Sequence, residues 1–345
     1  MVTAADEESP SPGQVNWHRE LTTLDGWRAF TSDVPDVPGL LPVPVRDGLA
    51  DDDRSRYEER RLDYHTRLGV VATSTLRHVV NTGRRLALLN RHAVSARRGL
   101  IVSGAAGTGK TTAITQLGKT HEAIDRRRHP GSDRIPVVYV TVPPAATPRM
   151  LAVEFARFLG IPVMARANIT DVIEAVCGVM TDARTTVVCV DEIHNLKLAT
   201  RNGAEVSDTL KYFSERIPAT FVYAGINVER EGLFSGTRGQ QIAGRFTMVP
   251  AAPFPYAAEW QGLVATLEDA LRLHEHPPGT LAGLDRYLHQ RTGGMIGSLS
   301  HLIRGAAIEA ILDGSENITR KLLDAVDLDH AAQARSAPAA ARKTA

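Results

Sequence analysis

The sequence predicts an α/β fold: a central parallel sheet flanked by helices, followed by a small all-helical domain. Three observations carry this reading. Five short apolar runs, at 99–103, 136–142, 186–190, 219–224 and 246–249, alternate with helical periodicity at 110–126, 149–159, 169–183 and 207–216. Such alternation packs parallel strands into one sheet with helices on both faces. The first run leads through a glycine-rich loop straight into a helix. After Pro255 no strand-like run remains, and helical patterns at about 256–274, 279–291, 295–312 and 317–326 follow one another.

In chain order, residues 1–50 are expected to form a largely extended N-terminal arm. Its first stretch, MVTAADEESPSPGQ, is acidic and polar and so is not a secretory signal. Residues 1–14 read as disordered. From 15 to 50, Trp17, Trp27 and Phe30 stand among Pro35, Pro38, Pro42 and Pro44, so a few aromatics would anchor the arm on its own domain or on another molecule. Residues 51–89 turn helical, with apolar side chains recurring at three and four. The α/β domain is expected over 51–254, the helical lid over 255–328 and a disordered tail over 329–345. No internal repeat is visible.

Composition narrows the function. The 345 residues, 43% of them hydrophobic, suffice for one large or two modest domains with real cores. Forty basic residues against thirty-nine acidic leave a net charge of +1, so any nucleic-acid surface must be local. Cys177 and Cys189 lie in apolar stretches and give neither a disulfide framework nor a metal site, which suits a cytoplasmic protein. No apolar run approaches the roughly 20 residues that span a bilayer, so no membrane is expected.

The glycine-rich loop carries the chemistry. Gly104-Ala105-Ala106-Gly107-Thr108-Gly109-Lys110-Thr111 matches G-x-x-x-x-G-K-[ST] between a strand and a helix that opens Lys110-Thr111-Thr112. Gly104, Gly107 and Gly109 let the backbone turn its N–H groups onto phosphate oxygens, and the helix N-terminus adds positive potential. Lys110 would reach the β- and γ-phosphates and the Thr111 hydroxyl would hold Mg²⁺. Only six of the forty basic residues are lysines, which makes this one more telling. ATP with Mg²⁺ is the expected cofactor.

A second motif completes the site. Val187-Val188-Cys189-Val190 ends in Asp191-Glu192, which puts two carboxylates at the tip of a buried strand, where open α/β sheets bind ligands. Asp191 would complete the Mg²⁺ shell opposite Thr111, and Glu192 would orient and partly deprotonate the attacking water. One strand, 136–142, lies in sequence between the two motifs. That spacing favours the NTPase class in which a further strand separates the loop strand from the acidic strand in the sheet, and disfavours a small-molecule kinase.

Further residues resemble a known family. Arg98-Gly99-Leu100-Ile101-Val102-Ser103 before the glycine loop, Val190-Asp191-Glu192-Ile193-His194-Asn195-Leu196, Tyr223-Ala224-Gly225, Gly244-Arg245-Phe246 and Thr292-Gly293-Gly294-Met295-Ile296-Gly297 resemble the TniB/TnsC family of AAA+ transposition ATPases. The resemblance covers about residues 55–315. The loop and acidic motif are specific only to P-loop ATPases at large; the spacing of the whole set points to this family.

The resemblance implies a P-loop AAA+ core with a lid. Asn227, after the strand at 219–224, stands where AAA+ proteins place a γ-phosphate sensor. Arg245, before the last strand, stands where they project a finger into the neighbouring subunit, with Arg238 the nearby alternative. It further implies an ATPase acting as a homo-oligomer, a ring or filament that assembles on double-stranded DNA with ATP, engages a transposase or integrase-like partner and disassembles on hydrolysis. Two departures qualify this. The lid reads Gly294-Met295-Ile296-Gly297-Ser298 where many AAA+ lids carry a sensing arginine, and Arg304 lies one or two turns on, so slow hydrolysis stimulated by oligomerisation or DNA is expected. The chain also ends soon after the lid, which would leave DNA contacts to the AAA+ body.

Candidate DNA contacts are Thr147 and Arg149 after the second strand and Lys197 and Arg201 after the acidic motif, with Arg126-Arg127-Arg128-His129 and Arg134 the densest basic cluster. Phosphate contacts of this kind make binding salt-dependent. His121 and His194 have no metal-ligand partners at useful spacing. Two other readings stay open: a nucleotide-switched signalling or defence scaffold acting through protein partners only, and a P-loop enzyme phosphorylating a small molecule.

Overall fold

All five apolar runs are strands, and the sheet they form is parallel throughout. The computed structural model describes residues 20–196, 201–229 and 244–328, with the side chains of 201–204 outside that description. Strands β1 (Gly99–Ser103), β2 (Val137–Thr141), β3 (Val187–Asp191), β4 (Thr220–Gly225) and β5 (Phe246–Pro250) lie in the order β2–β3–β4–β1–β5. Each neighbouring pair is parallel, in registers such as Ser103 with Gly225 and Thr141 with Asp191. The carboxyl ends of the strands therefore share one edge. β4 separates β1 from β3, the arrangement the motif spacing favours. β1, β3 and β4 are buried along their whole length, which is why they read as unbroken apolar runs rather than alternating ones. β5 is an edge strand with three exposed residues, and it ends in Pro250, which an edge tolerates.

The helices that precede and cover the sheet are α1 (Leu24–Ser32), α2 (Val43–Asp47), α3 (Asp51–Thr66), α4 (Ser74–Leu89), α5 (Lys110–Arg128), α6 (Pro148–Phe158), α7 (Ile169–Asp182) and α8 (Arg201–Arg216). α5 buries Ala113, Ile114 and Leu117 in the core, and α4 approaches it closely at Gly83, where a Cβ would lie 2.3 Å from Leu117. His121, on α5, is half-buried and contacts the Thr186 hydroxyl at 2.7 Å, so it is part of the packing.

The described part of the N-terminal arm differs from its expected extended form. The Thr23 hydroxyl caps α1 by accepting from the Gly26 N–H at 3.1 Å, and Trp27 is fully buried in the sheet's core. Trp27 and Phe30 lie three residues apart on one helix, so they pack together where an extended strand would point them apart. Of the prolines, Pro42 caps α2 and Pro44 sits in its first turn, where the ring needs no N–H acceptor. Trp27 thus docks on its own chain. Trp17 lies outside the described residues.

A second core belongs to the lid, formed by α9 (Ala258–Asp269), α10 (Thr280–Gly283), α11 (Asp285–Thr292), α12 (Ile296–Leu312) and α13 (Arg320–Ala325). It centres on Trp260, Leu263, Leu302 and Ile303. The helical pattern at 279–291 divides at Leu284 into α10 and α11. α3, on the other side of the expected 254/255 division, packs into this core through Leu62 and Tyr64, with Leu68 just beyond its end. Its Arg61, fully buried, pairs with both oxygens of Glu316 at 2.6 and 2.7 Å. The N-terminal segment therefore reaches both cores, α1 on the sheet and α3 in the lid. Among the described residues no single helix is long and apolar enough to cross a membrane.

Candidate nucleotide-binding site

β1 delivers the glycine loop to the carboxyl edge of the sheet, and its backbone explains its glycines. A Cβ on Gly104 would lie 1.9 Å from the Ala251 carbonyl oxygen. Gly107 and Gly109 have φ of +79° and +84°, the left-handed region, where an L side chain costs about 1–2 kcal/mol. That conformation lets successive N–H groups converge on an anion, and Gly109 caps α5, whose dipole points the same way. Thr108 Oγ1 and Lys110 Nζ both donate to the Ala105 carbonyl, at 2.9 and 2.7 Å. Ala106, Gly107 and Thr111 are exposed, with Thr112 half-buried behind them, so the loop opens to solvent. Lys110 is only 7% exposed. Burial lowers its pKa below the ordinary lysine value, against the pull of Asp191 and Glu192.

The carboxylates meet the loop as the motif requires. Asp191 is buried at the tip of β3. Its Oδ2 accepts from Thr111 Oγ1 at 2.7 Å and from the Tyr139 hydroxyl at 2.9 Å, and its Oδ1 accepts from the Glu192 N–H at 2.8 Å. A hydroxyl and a carboxylate side by side at a phosphate cradle are hard oxygen donors, the kind Mg²⁺ takes alongside phosphate and water, so these residues fit that ion. Among the described residues no cluster of histidine, cysteine, aspartate and glutamate suggests any other metal.

Glu192 leaves the strand with a φ of +56° and a half-exposed side chain, 3.2 Å from His194 Nε2. The Ile226 N–H donates to His194 Nδ1 at 3.3 Å, so Nδ1 is the acceptor and Nε2 carries the proton that faces Glu192. His194 thus ties the carboxylate to the end of β4. Asn227 follows directly, at φ +42° in the region asparagine tolerates, and the Val228 N–H donates to the hydroxyl of Ser103, the residue before the loop, at 2.9 Å.

The lid touches the loop through backbone. Gly293 and Gly294 both have positive φ, and the Phe254 N–H donates to the Gly294 carbonyl at 2.8 Å. The Gly297 N–H, at the start of α12, donates to the Gly107 carbonyl at 2.9 Å, and a Cβ on Gly109 would lie 3.3 Å from Ile296. Arg304 is elsewhere: its guanidinium donates to the carbonyls of His65 and Thr66 at the end of α3.

The model of the bacterial TniB protein matches residues 75–256, just over half of the 345 residues, from α4 through β5. The chain belongs to the TniB family. No curated protein matches this member of it. Among solved structures it is similar to the ORC1 protein of Aeropyrum pernix in complex with DNA, at 16% identity and a TM-score of 0.57 over 80% of this chain and 71% of that one. The ORC2 protein of the same organism, in ADPNP–ADP complexes, gives 16% and 0.54 over 75% and 70%. Drosophila ORC bound to DNA gives 15% and 0.51 over 87% and 72%. These likenesses establish the fold, an AAA+ core with a helical domain after it.

The remaining candidates on this TniB chain divide. Arg245 precedes β5, whose Phe246 pairs with Gly99, the first residue of β1, whereas the loop follows the last. A five-residue strand is about 16 Å long, so Arg245 stands that far from its own loop. Its guanidinium is partly exposed, 3.7 Å from Glu215, beside a cavity of about 300 Å³ that Arg98, Tyr223 and Phe246 also line. Arg238 and Lys197 lie outside the described residues, and Arg201 opens α8 with its side chain outside the description. Thr147 and Arg149 are at the start of α6, and both are used locally. Thr147 accepts from the Met150 N–H, and Arg149 donates to the carbonyls of Met164, Ala165 and Ala167. Arg126 pairs with Glu122, and Arg134 with Asp125. Tyr139, His194 and Gly297 were not singled out in the sequence for the contacts they make.

Proposed function

We propose that this chain is a DNA-bound AAA+ regulator of transposition. With ATP it oligomerises on double-stranded DNA as a ring or filament, recruits a transposase, and disassembles on hydrolysis. The observation that carries the reading is the division of the site between two edges of the sheet. The loop, Asp191, Glu192 and Asn227 gather at the carboxyl edge, and Arg245 stands at the opposite one. One subunit supplies the cradle and the next supplies the arginine, so bound nucleotide joins them.

Within that interface Lys110 binds the β- and γ-phosphates, Thr111 and Asp191 hold Mg²⁺, Glu192 orients the attacking water and Asn227 faces the γ-phosphate. Mg²⁺, when bound, neutralises charge on the phosphate oxygens. Arg245 stabilises the charge that develops there during transfer. Hydrolysis is slow in this reading, because Arg304 is engaged at α3 and gives the lid no arginine at the loop. The Aeropyrum ORC1 and Drosophila ORC structures are of proteins on DNA, and a shared fold supports the DNA part of the proposal.

One observation favours the second reading, a nucleotide switch acting on protein partners only. Arg149, a candidate DNA contact, spends its guanidinium on three backbone carbonyls. Double-stranded DNA binding by the full chain, with Mg²⁺ and ATP, a non-hydrolysable analogue or no nucleotide, separates the two, with the same samples imaged by electron microscopy. Analogue-dependent, salt-sensitive binding with rings or filaments is expected, and Arg245→Ala should keep nucleotide binding while losing hydrolysis. Tight nucleotide binding without DNA association under any condition replaces the proposal with the protein-only switch.

A further inference from the structure

One buried chain of contacts runs from the N-terminal segment to the carboxylate of the metal site. Trp27 of α1 is fully buried, and its Nε1–H donates to Glu122 Oε2 on α5 at 2.6 Å. Gly118 makes room for it, since a Cβ there would lie 2.6 Å from the indole ring. The indole stacks on the Tyr139 ring of β2, with centroids 5.8 Å apart and planes within 10°. The Tyr139 hydroxyl donates to Asp191 Oδ2 at 2.9 Å, the oxygen that also accepts from Thr111.

We infer that Tyr139 is a positioning residue for Asp191, held in place by Trp27, so that the segment before the sheet forms part of the Mg²⁺ site. The inference rests on reading the loop as a site for ATP with Mg²⁺. A buried phenol needs an acceptor, and this one takes a carboxylate oxygen that faces the metal position. Thr111 donates its proton to the same oxygen while its lone pairs stay free for a cation. Tyr139 fixes the carboxylate from β2, and its own ring cannot tilt without moving the indole. Trp27 is in turn fixed by Glu122, which Arg126 also holds at 2.6 Å.

The test uses the full chain, a fluorescent ATP analogue, and Mg²⁺ titrated from an EDTA baseline. Tyr139→Phe keeps the ring and removes only the hydroxyl; circular dichroism checks that it folds. The Mg²⁺ concentration for half-maximal tightening of nucleotide binding should rise about tenfold, as loss of a partner to a metal-ligating carboxylate typically does. Affinity in EDTA should stay as in the wild type, which a merely structural defect would not allow. Trp27→Phe, which keeps a ring but loses the bond to Glu122, should shift the Mg²⁺ titration in the same direction by less. A Tyr139→Phe titration that superimposes on the wild type, or an equal loss of affinity in EDTA, overturns the positioning role. A wild-type-like Trp27→Phe overturns the part assigned to the N-terminal segment. A wild-type chain that binds no nucleotide removes the reading of the loop itself, and the inference with it.

Discussion

Lys110→Met should separate the function of the loop from its stability. Lys110 is 7% exposed, and among the described residues its ammonium donates only to the Ala105 carbonyl, leaving donors that phosphate oxygens would satisfy. Burial wins over the nearby carboxylates and lowers its pKa, so the loop's own groups do not fully compensate its charge. Methionine has similar length and no charge. The variant without nucleotide should therefore be as stable as the wild type or more so, by about 1–2 kcal/mol. Nucleotide binding should move the other way. Two charge-assisted bonds, each worth about 1.5–3 kcal/mol, correspond to at least about a hundredfold in affinity. Urea unfolding with and without ATP and Mg²⁺ measures both. At a ligand concentration about 100-fold above its Kd the wild type gains about 2.7 kcal/mol, and the variant at that concentration about 0.4 kcal/mol. A nucleotide-free variant weaker than the wild type by about 2 kcal/mol or more, the scale of a core truncation, would show that Lys110 is structural. An unchanged gain from ATP would show that it does not bind phosphate.

Two other predictions concern buried charge. Burial lowers the pKa of His121 to about 4, Asp125 opposing and Arg128, Arg84 and Arg134 assisting. The unfolded chain takes up this proton near pH 6.5 and the native chain only near pH 4. The stability it supports is thus complete above about pH 6.5 and lost as pH falls toward 4, by about 3 kcal/mol. His121→Gln should lose that part of the pH dependence of the urea midpoint, and identical dependence in both proteins would refute the assignment. Glu316→Gln leaves Arg61, fully buried, without its carboxylate and should cost the lid about 3–5 kcal/mol. Hydrogen exchange should then rise across α3 and α12 with β1, β3 and β4 still protected; uniform loss of protection would mean the two cores unfold as one.

What the sequence made legible follows from how far apart the causes lie. β1 through β4 begin and end within a residue of the apolar runs, because burial on both faces demands them and the neighbouring helices show the other period. The loop is legible for the same local reason: Gly107 and Gly109 need positive φ, and Lys110 and Thr111 follow at fixed offsets. α1 was missed because, in nine residues, only Gly26 and Trp27 are fully buried, too few to show a stripe among prolines. α3 was legible as a helix, but not its partner. Its sequence, DDDRSRYEERRLDYHT, is highly charged, and it enters the lid core with Arg61 and His65 buried. The residue that makes this possible, Glu316, is 255 positions away. Tyr139 read as one more strand residue, since only the position of Asp191 in space gives its hydroxyl a role. Arg149 looked free for DNA because the carbonyls it binds carry no sequence signal.

The lid has a route to the nucleotide that does not need an arginine. Among the contacts that join the lid to the sheet's core are the Phe254–Gly294 pairing at the connection and the N-terminal segment, with Trp27 in one core and Arg61 in the other. Both fix the lid where Gly297 reaches Gly107, and a Cβ on Gly297 would lie 3.0 Å from that carbonyl. Phosphates entering the loop draw on the peptide groups around Gly107, so this bond is made to the same backbone that the nucleotide binds. A lid coupled by one backbone hydrogen bond follows occupancy of the loop weakly, since such a bond contributes only about 1 kcal/mol net. An arginine on the γ-phosphate would distinguish ATP from ADP through charge; a bond to Gly107 responds to the loop's shape. A lid joined in this way is better suited to reporting that nucleotide is present than to driving fast turnover, and in the proposed function the distinction between ATP and ADP would fall to Asn227, Glu192 and the neighbour's arginine.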